Sequence, residues 1–182
     1  MAKDLGPFHD RPHEWKIFTP LVGSSLLELG NKVNRQFVYK KFFESLGYRH
    51  ISVDWNGRDG ALPLDLRKPL NLGTFDMVSN LGTTEHVSEQ EPVWRNLAEA
   101  MHVGSVLISM TPCPGHWWWH GEWYPTEEFF TEFASLNGMK IERLYQDREH
   151  PLRLVCTRMV RETDVPFQMP TKGMHYNVIR PR

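Results

Sequence analysis

The sequence predicts an α/β fold, a mostly parallel twisted sheet with helices on both faces and a final antiparallel strand. Three observations carry this. From residue 24 onward, strand-like apolar runs alternate with segments of helical spacing. The first run ends in Glu28-Leu29-Gly30, and about two dozen residues later a second, residues 50–54, ends on the acidic Asp54. The last two strand-like runs, residues 139–145 and 152–160, are separated by a short polar turn, the spacing of an antiparallel pair.

Residues 25–29 form the first expected strand. Phe37, Val38, Phe42 and Leu46 recur at helical spacing with Gly47 behind them as a C-cap, which predicts a helix over 36–46. Residues 50–54 are the second strand, 55–60 carry turn chemistry, and 61–65 read as a short edge strand because Pro63 is tolerated only there. Residues 75–79 are the next strand. Val93, Trp94, Leu97, Ala98 and Met101 define a helix whose start is open: Ser88 with Glu91 resembles a capping box, whereas Pro92 suits the first position of a later start. A buried strand over 105–110 leads into an aromatic loop, 111–124. Thr126 then caps a helix bearing Phe129, Phe130, Phe133 and Leu136, with Glu127 and Glu128 favouring its dipole and Gly138 ending it. The expected organisation is an N-terminal arm (1–23), one α/β domain (24–160) and an extended tail (161–182).

With 40% hydrophobic and 24% charged residues over 182 positions, the chain can bury a full core and is not of disordered composition. A net charge of −1 gives no bulk electrostatic reason to expect nucleic acid or an anionic membrane as partner. Residues 1–10 lack the apolar segment of a signal peptide, and no run approaches the ~18 apolar residues that span a bilayer, so a cytoplasmic protein is expected. Two cysteines, Cys113 and Cys156, make no disulfide framework.

Four places in order resemble the class I S-adenosylmethionine-dependent methyltransferases. Leu27-Glu28-Leu29-Gly30 is similar to the start of the family's E-x-G-x-G-x-G motif, and Val53-Asp54 to the acidic end of its second strand. Residues 75–80 continuing to Glu85-His86-Val87 resemble the fourth strand and the E-H-V after it. The run from Trp123 through 137–141 resembles the late helix-to-strand segment, with 152–160 as the antiparallel last strand. The resemblance implies a Rossmann-like methyltransferase fold, S-adenosylmethionine as cofactor, and methyl transfer to an oxygen or nitrogen of a small molecule. It further implies that Asp54 accepts hydrogen bonds from the ribose hydroxyls, a charge-assisted bidentate arrangement, and that Trp55 stacks on the adenine. Asp65 and Leu66 would meet the adenine edge, Asn80, Leu81 and Gly82 would hold the methionine part, and Glu28, Gly30 and Asn31 would shape the loop under the cofactor. The chain departs from the motif at Lys32 and Asn34, which stand where the family has its second and third glycines. Asparagine tolerates positive φ, but Lys32 adds a side chain and a charge where the backbone usually approaches a cationic sulfonium.

Methyl transfer is an in-line displacement, so the protein supplies alignment and, where the acceptor must lose a proton, a base. The aromatic loop would place Trp117, Trp118, Trp119, Trp123 and Tyr124 against the substrate at the carboxyl edge of the sheet. Core closure or a homodimer contact is the other role open to these rings. His116 and His120 are proton acceptors near neutral pH, and Glu85 and His86 are further catalytic candidates. Cys113, His116 and His120 have C-x2-H-x3-H spacing, but Pro112 and Pro114 flank the cysteine and no fourth ligand is evident, so no metal is expected. The departures at Lys32 and Asn34 motivate a second reading, a methyltransferase-like protein that binds the cofactor or a related nucleoside as a sensor or partner subunit without turning it over. A dinucleotide oxidoreductase is disfavoured because the G-x-G-x-x-G spacing is absent.

Overall fold

A computed structural model describes residues 24–31, 33–34, 37–115, 120–148 and 153–176. The N-terminal arm, Lys32, His116 and Trp117 to Trp119 lie outside the described residues. A six-stranded sheet forms the body. In chain order its strands are β1 (Ser25–Leu29), β4 (Arg49–Val53), β5 (Phe75–Leu81), β6 (Met101–Pro112), β8 (Met139–Asp147) and β9 (Leu154–Arg161), arranged as β4-β1-β5-β6-β9-β8. The first four are parallel, whereas β9 runs antiparallel to both β6 and β8, as the closely spaced final strands predict.

Alternate residues of the buried strands face opposite layers, so both sheet faces are apolar. From β1, Leu26 joins Met77, Ile108, Phe42 and Phe43 on one side, the last two carried by helix α1 (Tyr39–Ser45). Leu27 and Leu29 join the opposite cluster, which is built around helices α2 (Gln90–Glu99) and α3 (Glu127–Leu136). There the Trp94 ring meets Trp123, Phe129, Phe130 and Phe133 edge-on, with centroids 4.9–5.8 Å apart, a favoured aromatic geometry.

Three local expectations are corrected. The first helix is Tyr39–Ser45 and not 36–46: Phe37–Val38 is a strand, β3, paired antiparallel with β2 (Val33–Asn34). Aromatic and β-branched residues favour such a pairing over a helix start. Residues 61–65 contribute a single parallel bridge, Val53 to Leu62, in place of an edge strand. Pro63 has no N–H with which to continue a ladder. Helix α2 starts at Gln90, one residue after the start a Ser88 cap would give and two before Pro92, which falls in its first turn, where an N–H would lack an intrahelical partner anyway. Neither Glu89 at its N-cap nor Thr126 at the N-cap of α3 makes a side-chain cap bond.

Two polar side chains anchor what lies outside the sheet. Asn96 of α2 donates to the carbonyls of Leu66 and Lys68 and accepts from the Leu70 N–H, pinning the long connection after β4. The buried Arg161 guanidinium donates to the carbonyls of Ala98 and Met101 and to the Asp164 carboxylate, fastening the segment after β9. That segment crosses α3, where Asn137 bonds both backbone groups of Gln168, and ends in β10 (Met174–Tyr176) paired with β7 (Trp123–Pro125). Among the described residues no helix is long and apolar enough to cross a membrane.

Candidate active site

The carboxyl ends of β1, β4 and β5 open onto a cavity of about 610 Å³, within the size range of small-molecule sites. Gly30 closes its floor with φ of 74° and donates its N–H to the Val53 carbonyl at 2.8 Å. A Cβ on Gly30 would lie 2.2 Å from the Thr83 hydroxyl, which itself donates to the Leu29 carbonyl at 2.7 Å. Asp54, immediately after β4, accepts the Asn31 N–H on one oxygen (3.2 Å) and the Asn56 N–H on the other (3.0 Å). These bonds fix the carboxylate and leave lone pairs on both oxygens for a ligand. Beside it Trp55 is 82% exposed on the cavity wall, an uncommon setting for a tryptophan. Leu64, Leu66 and the Asp65–Arg67 pair also line the cavity. The Arg67 side-chain and backbone donors hold the Asp65 carboxyl at about 2, so it remains ionised.

Gly82, Thr83, His86, Val87, Ser88 and Glu122 continue the lining toward a second group of polar residues. Glu85 and His86 sit on a 3-10 turn, Thr84–His86, that follows β5. The Glu85 side chain is 1% exposed; its Oε1 lies 3.7 Å from His120 Nε2 and 3.9 Å from His86 Nε2. The two imidazoles meet at 74° with centroids 4.5 Å apart. One donor atom from each of Glu85, His86 and His120 falls within 4.8 Å of the others, and Glu85 Oε2 has no hydrogen-bond partner among the described residues. The loop carrying His120 is stitched to this turn. Glu122 N–H donates to the Glu85 carbonyl and Trp123 Nε1 to the Thr84 carbonyl, both at 2.6 Å, while a Cβ on Gly121 would lie 2.7 Å from the Glu85 carbonyl oxygen.

No family model matches the chain, and a search of the curated proteins finds no similar sequence. Solved structures do match in three dimensions. A Listeria monocytogenes protein described as an S-adenosylmethionine-dependent methyltransferase superposes with a TM-score of 0.66 at 9% identity, over 84% of this chain and 96% of that one. This is the methyltransferase fold. The N-methyltransferase NodS of Bradyrhizobium japonicum, in complex with S-adenosylhomocysteine, matches it with a TM-score of 0.62 at 15% identity over 87% and 89% of the two chains. The 1,6-didemethyltoxoflavin N1-methyltransferase of Burkholderia thailandensis, solved with 1,6-didemethyltoxoflavin and S-adenosylhomocysteine, matches with 0.61 at 10% over 86% and 84%.

Within this methyltransferase fold the residues singled out by sequence fall into three groups. Gly30, Asn31, Asp54, Trp55, Asp65, Leu66, Gly82 and His86 line the cavity, with Glu85 and His120 gathered behind His86. Others hold the frame. Glu28 is fully buried with Oε2 2.9 Å from His50 Nε2, bridging β1 and β4 beneath the cavity. Asn80 is buried too: its carbonyl oxygen accepts the N–H groups of Thr83 and Thr84, and its amide donates to the hydroxyls of Thr84 and Ser109. Leu81 points into the core beside α1. Substrate contact fails for Trp123, which is wholly buried against Trp94 and Phe129, and Tyr124 is buried with its hydroxyl accepting the Gly121 N–H. His116, Trp117, Trp118 and Trp119 lie outside the described residues. Cys113 belongs to the core, where burial pushes its thiol up to about 11, so it does not supply a thiolate beside His120. Thr83, Arg67 and Glu122 escaped the sequence reading. Thr83 and Glu122 take their places from bonds to Leu29 and Glu85, far away in sequence, whereas Arg67 is held by Asp65 two residues before it.

Proposed function

We propose that this chain binds S-adenosylmethionine in the cavity and transfers its methyl group to an oxygen or nitrogen of a small-molecule acceptor. The observation that carries the reading is Asp54, held by two backbone N–H groups at the end of the second parallel strand, beside an exposed Trp55 and over the tight Gly30 turn. When bound, the cofactor supplies an electrophilic methyl group on a sulfonium. Asp54 accepts the ribose hydroxyls, Trp55 stacks on the adenine, and Asp65 and Leu66 border its edge. Gly30 and Gly82 let the main chain approach the ligand without intervening side chains, and Asn31, whose side-chain amide donates to the Arg58 carbonyl, shapes the loop beside them. Glu85, His86 and His120 stand at the acceptor end, where a proton must leave if the nucleophile is an alcohol, phenol or protonated amine. The solved neighbours crystallised with S-adenosylhomocysteine, one of them acting on a small heterocycle, support the cofactor and acceptor class.

The net charge of −1 supports a small acceptor over nucleic acid, and a cytoplasmic setting belongs to the same reading. We read residues 24–160 as the cofactor-binding domain, 161–182 as a tail whose described part straps α3, and the tryptophans at 117–119 as substrate contacts or a homodimer face.

Calorimetry with ligand-free protein tests the reading. Binding of S-adenosylmethionine and S-adenosylhomocysteine at micromolar Kd is expected, and absence of both overturns it. Binding of both without label transfer into any component of a metabolite extract would instead establish the sensor reading that Lys32 and Asn34 motivate.

A further inference from the structure

We infer that Glu85, His86 and His120 form a binding site for a divalent first-row transition ion, with zinc the best fit to the donors. Three observations converge. The donor atoms come from two different loops and meet within 4.8 Å. The separations of 3.7 and 3.9 Å from Glu85 to the imidazoles are too long for hydrogen bonds. They are close to the roughly 3.4 Å edge of a tetrahedron whose centre lies about 2.1 Å from each ligand. The Glu85 carboxylate is 99% removed from solvent by its 1% exposure, yet one of its oxygens has no partner among the described residues. Burying a carboxylate so incompletely bonded is costly unless a cation balances it.

The donor set selects the ion. Two imidazoles and one carboxylate suit zinc and its transition-metal neighbours, whereas magnesium and calcium prefer all-oxygen shells. Three protein ligands leave a position open, the arrangement of catalytic rather than structural zinc. His86 is at once a member of the group and part of the cavity lining, so the open position faces the cavity. The stitching of Gly121, Glu122 and Trp123 to the Glu85 turn holds the two loops in this relation before any ion arrives.

The consequence for chemistry rests on the proposed methyl transfer. An acceptor hydroxyl on the open position has its pKa lowered, as metal-bound water does. Its proton leaves to solvent, the oxygen lone pair forms the bond to the methyl carbon, and the carbon–sulfur pair remains on sulfur as a neutral thioether.

The full chain, stripped with chelator and dialysed, is titrated with Co2+ and with Zn2+ by calorimetry, the Co2+ complex being followed also by visible absorption. One ion per chain is expected, with a ligand-field spectrum of low coordination number. His120→Ala and His86→Gln should each weaken binding by at least about 100-fold, since even outer-shell changes cost 10–100-fold. His120 is not part of the cavity lining, so His120→Ala should keep its S-adenosylhomocysteine affinity within twofold, which also verifies its fold. Absence of ion binding by the unaltered chain, or binding of equal strength in His120→Ala, overturns the site. An unaltered chain that takes the ion but no S-adenosylhomocysteine supports the metal site and overturns the cofactor reading.

Discussion

The Thr83 hydroxyl occupies the space in which a Cβ on Gly30 would have to lie, 2.2 Å from its ideal position, and from there it bonds the Leu29 carbonyl. The end of β1 and the turn after β5 are thus locked together at the cavity floor. Gly30→Ala meets both this contact and a backbone at φ 74° that costs a residue with Cβ about 1–2 kcal/mol by itself. Urea unfolding should show a loss of about 2–4 kcal/mol, and calorimetry a weakened S-adenosylhomocysteine complex. Adding Thr83→Ala should restore only the steric part. A single Gly30→Ala protein as stable as the parent contradicts the described floor.

Asp54→Ala should weaken S-adenosylhomocysteine by about 10- to 100-fold, the equivalent of losing hydrogen bonds to a charged group. Asp54→Asn should fall between, because the amide retains one acceptor for the backbone but loses the charge. Equal Kd values for the parent and the alanine protein would remove Asp54 from the site.

Trp55 offers the cleanest separation of binding from folding. Its side chain is largely exposed, so Trp55→Ala should move the thermal midpoint little, whereas loss of base stacking at about 1–3 kcal/mol should cost roughly tenfold or more in affinity. A large stability loss with unchanged affinity would reverse the assignment.

Asp76 on β5 accepts the backbone N–H and the hydroxyl of Ser25, with His102 at 3.3 Å, and these bonds hold its carboxyl below the usual carboxylate range. A carboxyl depressed on folding stabilises the native state fully above its unfolded value of about 3.9, and the contribution disappears as pH falls through the lower folded value. The Asp76 side chain is 37% exposed, so the effect at neutral pH is held to less than about 1 kcal/mol by solvent screening. Asp76→Asn should therefore unfold at a lower temperature than the parent at pH 7, and the two should converge as pH falls below the folded value of the Asp76 carboxyl. A gap that is constant with pH would show that charge is not involved.

Arg161 satisfies the Ala98 carbonyl at the end of α2, the Met101 carbonyl at the start of β6, and groups of the following tail. Arg161→Ala removes the guanidinium donors from these buried carbonyls and from the tail, and should cost about 3 kcal/mol in urea unfolding. Arg161→Lys should recover little of this, since one ammonium cannot reproduce the planar fork. Full recovery by lysine would reduce the role to charge alone.

The sheet was legible in the sequence because short runs rich in apolar residues, such as those of β1 and β9, alternate with segments of helical spacing. Asp54 was legible for the same reason, as a charge at the end of such a run. The aromatic loop was not. In the sequence Trp123 suits substrate contact and core closure alike, and what decides for the core, its neighbours Trp94 and Phe129, comes from two helices whose packing no local pattern specifies. The first helix was overextended because Phe37 and Val38 satisfy helical spacing while pairing with residues 33–34. Glu85 and His86 stood out through the resemblance of Glu85-His86-Val87 to the E-H-V segment, whereas their meeting with His120 depends on where two loops end over the sheet.

One wall of the cavity stands apart from the sheet. The connection from Asp54 to about residue 72 contributes one bridge at Leu62 and is otherwise tied to the body through Asn96, the bond from Asn31 to the Arg58 carbonyl, and the packing of Leu64, Leu66, Leu70 and Leu72 on the core. Insertions or deletions here would leave the strand registers of the body unaltered. The portion of the pocket carrying Trp55, Asp65 and Arg67 can thus be exchanged as a cassette wherever the apolar footing of Leu66, Leu70 and Leu72 on the core is kept, and ligand preference can diverge between otherwise superimposable chains.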